Sequence, residues 1–272
     1  MGSLCFAAIM PHGDVIEELG GPNVDLTRQT HLAMLEAGRR MAEARPDTIV
    51  IATPHGVRVD DFIGISMTEF AAGGLQGAGG TVMVEMPVDQ HMAFAIAQRS
   101  FMAGIPIARC SFGTGSGPES RLPLDWGSII PLWYCGAQWA NKPRVVVVVP
   151  SRSVDEWALV EFGRIVAGVA AAGPKRVALI ASCDWSHTHD EDGPYGFHED
   201  AVKFDDLARD LIGRNDLDGF LELDLEFVEN AKPDGIWQTL VLSGAIDGTP
   251  LKSEILSYQR PTYFGMLVAT FR

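Results

Sequence analysis

"RVVVVVP", Arg144 to Pro150, and "RVALIAS", Arg176 to Ser182, are the stretches whose reading decides the fold. Each is a continuous apolar run rich in β-branched residues. A strand with one wet face alternates apolar with polar residues, whereas a strand covered on both faces does not. These runs therefore belong inside a sheet with helices on either side. Further strands are expected at 4–11, 48–54, 62–68, 81–86, 105–111 and 262–271. Between them, "DLTRQTHLAMLEAGRRMAEARP" has helical spacing and stops at a proline, and "SVDEWALVEFGRIVAGVAAAG" begins on a serine cap and ends on glycine. Residues 89–103 and 198–213 also read as helices. The alternation predicts an α/β fold: a single domain over 1–272, with a central mixed, largely parallel sheet covered by helices on both faces. Residues 112–135, dense in Gly, Ser and Pro, read as a long functional loop, and "GGLQGAGGT", Gly73 to Thr81, as a flexible loop between two strands.

The 272 residues, 47% hydrophobic, are enough to bury a core without disulfides. Cys5, Cys110, Cys135 and Cys183 are widely spaced and read as reduced thiols in a cytoplasmic protein. The N-terminal stretch has no basic region and too short an apolar run for a signal peptide. The apolar strands fall far short of the roughly 20 residues that span a bilayer. A net charge of −14 without a basic cluster argues against nucleic acid and anionic membrane as partners.

Open α/β sheets bind ligands beyond the carboxyl ends of their strands. Two strands end alike: "MPHGD" puts His12, and "ATPHGV" puts His55, between Pro and Gly. Proline fixes the strand exit, and glycine permits close approach or unusual dihedrals. Either histidine alone reads most simply as a loop residue with local hydrogen bonds. The matched pair points instead to metal ligation, for which imidazole is the commonest side chain. A third strand runs into "SCDWSHTHDEDGPYGFHED". There the strand runs into Asp184 and His187, and His187 follows it closely enough to lie near the same rim, as a general acid or base. Asp190, Glu191 and Asp192 read as a solvated acidic face, and His31 and His91 as structural residues without nearby partners.

Together, "MPHGD", "ATPHGV", "LDWGSIIPLWY", "SCDWSHTHD" and "ENAKPDGIWQTLVLSGAI" resemble, in order, the segments of the LigB superfamily. This is the group of class III extradiol ring-cleavage dioxygenases and the related Memo-like proteins. The resemblance implies an oxidoreductase of aromatic compound catabolism that holds Fe(II), with Mn(II) or Zn(II) as alternatives, on His12, His55 and a carboxylate. Asp234 matches the carboxylate position best, and Glu229 competes with it. His187 corresponds to the histidine that handles substrate protons, and Asp184 joins it among the catalytic candidates. Trp126 stands where dioxygenases commonly carry a histidine. Indole stacks and donates one hydrogen bond but exchanges no proton near neutral pH, so Trp126 fits an aromatic pocket while removing one catalytic function. The implied substrates are a catechol-like or aminophenol-like aromatic and O2. The alternative is a Memo-like metal-binding or interaction protein without dioxygenase turnover. Trp133 and Tyr134 are pocket lining or core. A homo-oligomer is expected from base rates, and a small partner subunit of the kind some relatives carry is the other option.

Overall fold

Both valine-rich stretches are strands, and both lie inside the sheet. The computed structural model describes residues 2–272. In chain order its elements are β1 (Ser3–Met10), α1 (Arg28–Ala44), β2 (Thr48–Ala52), β3 (Ile63–Ser66), β4 (Phe70–Gln76), β5 (Thr81–Pro87), α2 (Gln90–Met102), β6 (Ile107–Cys110), β7 (Arg121–Pro123), α3 (Trp126–Leu132), β8 (Arg144–Pro150), α4 (Glu156–Ala172), β9 (Arg176–Ser182), α5 (Asp200–Gly213), α6 (Leu225–Ala231), α7 (Ile236–Ile246), β10 (Ser253–Gln259) and β11 (Met266–Phe271). Eight strands form the main sheet in the order β10-β11-β1-β9-β2-β8-β3-β6, and β5-β4-β7 form a small second sheet. Strands β1, β9, β2 and β8 are parallel neighbours. Strands β11 and β3 pair antiparallel on either side of them.

The two-residue period of a strand divides the valine run between two cores. Val146 and Val148 face one side, where they pack with residues of α2, α4, α5 and α7. Val145, Val147 and Val149 face the other, against α1, α3 and the small sheet. The α/β fold with a largely parallel sheet covered on both faces is as expected. No helix among the described residues is long and apolar enough to cross a membrane.

Three stretches depart from the expectation. Residues 112–135 hold β7 and α3 rather than one loop. Helix α3 carries a glycine and a proline, which lower its propensity, but Ile129, Ile130 and Leu132 are buried against the core, and tertiary packing overrides the local signal. The glycines of "GGLQGAGGT" are partly in β4, so only residues 77–80 form the connection to β5. At Gly73 a Cβ would meet Leu124 O and Ile129 Cδ1, both at 2.8 Å, so the missing side chain is what lets β4 lie against α3. Strand β10, half exposed at the sheet edge, lacks the apolar run that marks the other strands. Helix α4 is capped by Asp155, whose carboxylate accepts the Ala158 N–H at 3.2 Å. Ser153 instead accepts the Asp61 N–H at 2.9 Å.

The last of the candidate site residues, Asp234, lies two residues before helix α7, whose position is set by α4. Gly163 and Gly244 lie where the two helices meet, and a Cβ on either would strike a backbone carbonyl of the other helix, Val241 O or Val160 O. Gly244→Ala is expected to destabilise the fold by about 1–3 kcal/mol through overpacking. Chemical denaturation measures this, and an unchanged midpoint would refute the close-packing account.

Candidate metal centre and pocket

The parallel strands place their carboxyl ends along one edge of the sheet. His12 follows β1 by two residues, Asp184 follows β9 by two, His55 follows β2 by three, and Arg152 follows β8 by two. Asp234 arrives from the opposite direction, two residues before α7. Reciprocal hydrogen bonds tie it to the exit of β9: the Asp184 N–H donates to Asp234 Oδ1 at 2.8 Å, and the Asp234 N–H donates to the Asp184 carbonyl at 3.3 Å. Asp184 in turn accepts the backbone N–H of His12 at 3.1 Å.

The two Pro-His-Gly stops use their glycines differently. At Gly13 a Cβ would meet the Phe264 ring at 2.6 Å, so its value is close approach. Gly56 has φ of 88°, the left-handed region that glycine enters without strain.

His12 Nε2 lies 3.2 Å from His55 Nε2 and 3.2 Å from Asp234 Oδ2, and His55 Nε2 lies 3.7 Å from that oxygen. One ligand atom from each residue falls within 4.8 Å of the other two. Ligand atoms each ~2.1 Å from one ion stand roughly 3–3.4 Å apart, so the spacing suits a single ion bound by all three. Asp184 Oδ2 stands 3.3 Å from His12 Nε2, adding charge behind the histidine. His12 Nδ1 faces Ser182 Oγ at 3.0 Å, and the Ser182 hydroxyl donates to the Gly127 carbonyl at 2.6 Å. With its own hydrogen committed there, Ser182 Oγ can only accept from His12, which puts a proton on Nδ1 and turns Nε2 toward the two carboxylates.

The electrostatics favour a cation at this point. Burial opposes a charge on His12, but the carboxylates of Asp184 and Asp234 outweigh it and raise the imidazole to about 9. Burial and the neighbouring charge on His12 push His55 down to about 4. Burial raises Asp184 to about 6 against the pull of His12. Asp234, though buried, is held below the ordinary carboxylate value by His12. A proton on His12 thus occupies the place where a divalent ion would satisfy both nitrogens and the carboxylate. The donor set, two imidazoles and one carboxylate, fits a non-haem metal.

Beside the triad is a pocket of about 710 Å³, of the size that takes small organic ligands. Trp126, 49% exposed, lies over the His55 ring at 4.1 Å between centroids. His187 lines the pocket and stacks on Phe264 with centroids 5.4 Å apart. Helix α6 ends in a left-handed turn at Lys232, which aims its last carbonyls at this histidine. The His187 N–H donates to Ala231 O at 2.8 Å, and Nδ1–H donates to Lys232 O at 2.9 Å. In the neutral ring this tautomer puts the lone pair on Nε2.

Of the site residues read from sequence, His12, His55 and Asp234 converge, with Asp184 behind them and His187 and Trp126 on the pocket wall. Glu229 borders the pocket, but its side chain is 82% exposed and faces Lys232 at 3.9 Å, away from the triad. His31 does have partners: its Nδ1 lies 3.0 Å from Val15 O and 2.8 Å from the Tyr134 hydroxyl. Tyr134 is core, with Trp133 packed against it. His189 is buried on Asp205 at 2.8 Å. Sequence reading missed Arg152, Trp237, Tyr263 and Phe264. Arg152 was open to discovery, because "VVVVVPSR" places it at a strand's carboxyl end in the same way as the histidines. The aromatic residues come from segments with no such signal.

The family described as the catalytic LigB subunit of aromatic ring-opening dioxygenase matches residues 6–269, and the chain belongs to it. Among curated proteins, Protein CA_C1420 of Clostridium acetobutylicum is 26% identical over 253 residues, covering 92% of this chain and 54% of its own length. The chain thus spans about half of that relative. The crystal structure of the uncharacterized protein JW3007 from Escherichia coli superposes with a TM-score of 0.58 at 18% identity, covering 98% of this chain and 100% of the other. That likeness is one of fold.

Because a metal on His12 Nε2 must displace a proton, affinity for Zn(II) or Co(II) is expected to fall as pH drops below about 9, by up to tenfold per unit. Calorimetry near neutral pH, in buffers of different ionisation enthalpy, should register about one proton released per ion bound. Binding without proton release would contradict the assignment of His12.

Proposed function

We propose that this chain is a non-haem Fe(II)-dependent extradiol-type dioxygenase that opens the ring of a catechol-like or aminophenol-like aromatic with O2. The observation that carries the reading is the convergence of His12, His55 and Asp234 at one end of a pocket walled by aromatic rings. A ferrous ion on these three residues would keep open positions and couple an electron-rich ring to dioxygen.

The chain's own residues supply the rest. The free Nε2 of His187 takes a proton from a ring hydroxyl as the substrate binds and returns one during ring opening. Its Nδ1–H, held by the Lys232 carbonyl, keeps the imidazole in the tautomer that this exchange needs. Trp126 and Phe264 offer flat apolar faces to an aromatic ring. Arg152, whose guanidinium lies 4.6 Å from the centre of the Trp237 ring, adds a positive charge to the pocket wall. It favours an anionic substrate in a protein whose net charge is −14.

One feature favours the second reading, a Memo-like metal-binding protein without turnover. Trp126 covers the face of His55 and cannot exchange a proton there. Oxygen uptake by anaerobically Fe(II)-loaded protein separates the two readings, tested across catechols, protocatechuates, gallates and aminophenols. Uptake matched by a new ring-opened chromophore supports the dioxygenase. No uptake with iron bound overturns it in favour of the Memo-like reading. Within the dioxygenase reading, His187→Phe is expected to lower kcat by about 10²–10⁴-fold while leaving metal binding intact. Arg152→Ala is expected to raise KM for carboxylated substrates more than for uncharged ones, which steady-state kinetics on matched pairs would detect.

A further inference from the structure

"LDWGSIIP" ends on a proline four residues after its glycine. In a helix the N–H of a residue closes on the carbonyl four places earlier. Pro131 lies inside α3 and has no N–H, so the Gly127 carbonyl receives no such bond. That carbonyl instead accepts the Ser182 hydroxyl at 2.6 Å, and Ser182 Oγ stands 3.0 Å from His12 Nδ1. Ser182 is wholly buried, and of its two partners the Gly127 carbonyl can only accept, so both contacts are hydrogen bonds only when His12 Nδ1 is the donor. Gly127 has no room for a side chain, since a Cβ would meet Thr53 Oγ1 at 2.7 Å and Asp125 Oδ1 at 2.9 Å.

We infer that Pro131, Gly127 and Ser182 form a positioning relay that fixes which nitrogen of His12 is offered to the metal. The missing N–H of Pro131 leaves the Gly127 carbonyl open. That carbonyl fixes the direction of the Ser182 hydroxyl, and the hydroxyl oxygen holds the proton of His12 on Nδ1. Only Nε2 then faces Asp234 and His55. The helix therefore acts on both histidines, because Trp126, its first residue, lies over His55. The Gly-x-x-x-Pro spacing is in this account a functional spacing rather than a loop composition. None of the three is a catalytic residue, since each acts through His12. The inference rests on His12 being a metal ligand, but not on the nature of the reaction.

The test is Co(II) binding to the full chain, followed by the visible absorption of the bound ion, in wild type, Ser182→Ala, Ser182→Thr and Pro131→Ala. Partners behind a ligating histidine typically contribute 10–100-fold in metal affinity. Ser182→Ala is expected to lose about that much, and Ser182→Thr, which keeps the hydroxyl, to recover most of it. Pro131→Ala restores an N–H that competes for the Gly127 carbonyl. It is expected to weaken Co(II) binding while its melting temperature stays level or rises, a combination that a merely structural role does not produce. In the Zn(II)-loaded wild type, nitrogen-15 histidine spectra should show His12 bound through Nε2 with its proton on Nδ1. Wild-type affinity in Pro131→Ala, or in a folded Ser182→Ala, overturns the relay. Should Ser182→Ala fail to fold, Pro131→Ala decides alone. Failure of the wild type to bind Co(II) overturns the metal-ligand reading itself, and the relay with it.

Discussion

Because β1, β9, β2 and β8 are parallel neighbours, their exits lie side by side along one edge, about 4.8 Å from strand to strand. His12 and His55 leave strands that flank β9, so their rings must lean toward each other over its end. The residues at that end decide whether they can meet. Ser182, small and hydroxylated, supports His12 from below, and the backbone of Asp184 holds Asp234 in place. A bulky apolar residue at either position would separate the histidines or leave the Asp234 carboxylate without its partner. The rest of the site depends on this arrangement of three strand exits.

A cluster of two imidazoles and two carboxylates, all but His55 buried, is expensive unless a positive charge is shared among them. In the protein without metal that charge is a proton on His12, held by Asp184 and Asp234. This is a site prepared for a cation: the carboxylates are already desolvated and oriented, and the second histidine is kept neutral by its neighbour. Separation of roles follows from separation of elements. The triad stands on strand exits and the start of α7, His187 is set by the end of α6, and the pocket walls come from α3 and the turn before β11.

Helix α3 shows how far composition misleads. Its Gly and Pro read as signs of irregular chain, and each has a local reason. Gly127 gives room for Thr53 and Asp125, and Pro131 releases a carbonyl. The glycines of β4 serve the same close packing against α3. Residues chosen for contact with another part of the chain carry low local propensity, and one-dimensional reading takes them for loops.

The sequence by itself determined the class of fold, through strands too continuously apolar to have a wet face, and it singled out the two histidines of the candidate metal site, through their repeated Pro-His-Gly exits. It also pointed to His187, which follows β9 by five residues. Tertiary structure brings Asp234, the carboxylate the sequence already favoured, and not Glu229 up to the two histidines, through its contact with His12 and a hydrogen bond from the Asp184 backbone fifty positions away. It likewise brought Arg152, Trp126 and Phe264 around one pocket. Periodicity records which face of an element is buried, whereas a site is a meeting of distant residues, and only the packing of the elements fixes where they meet.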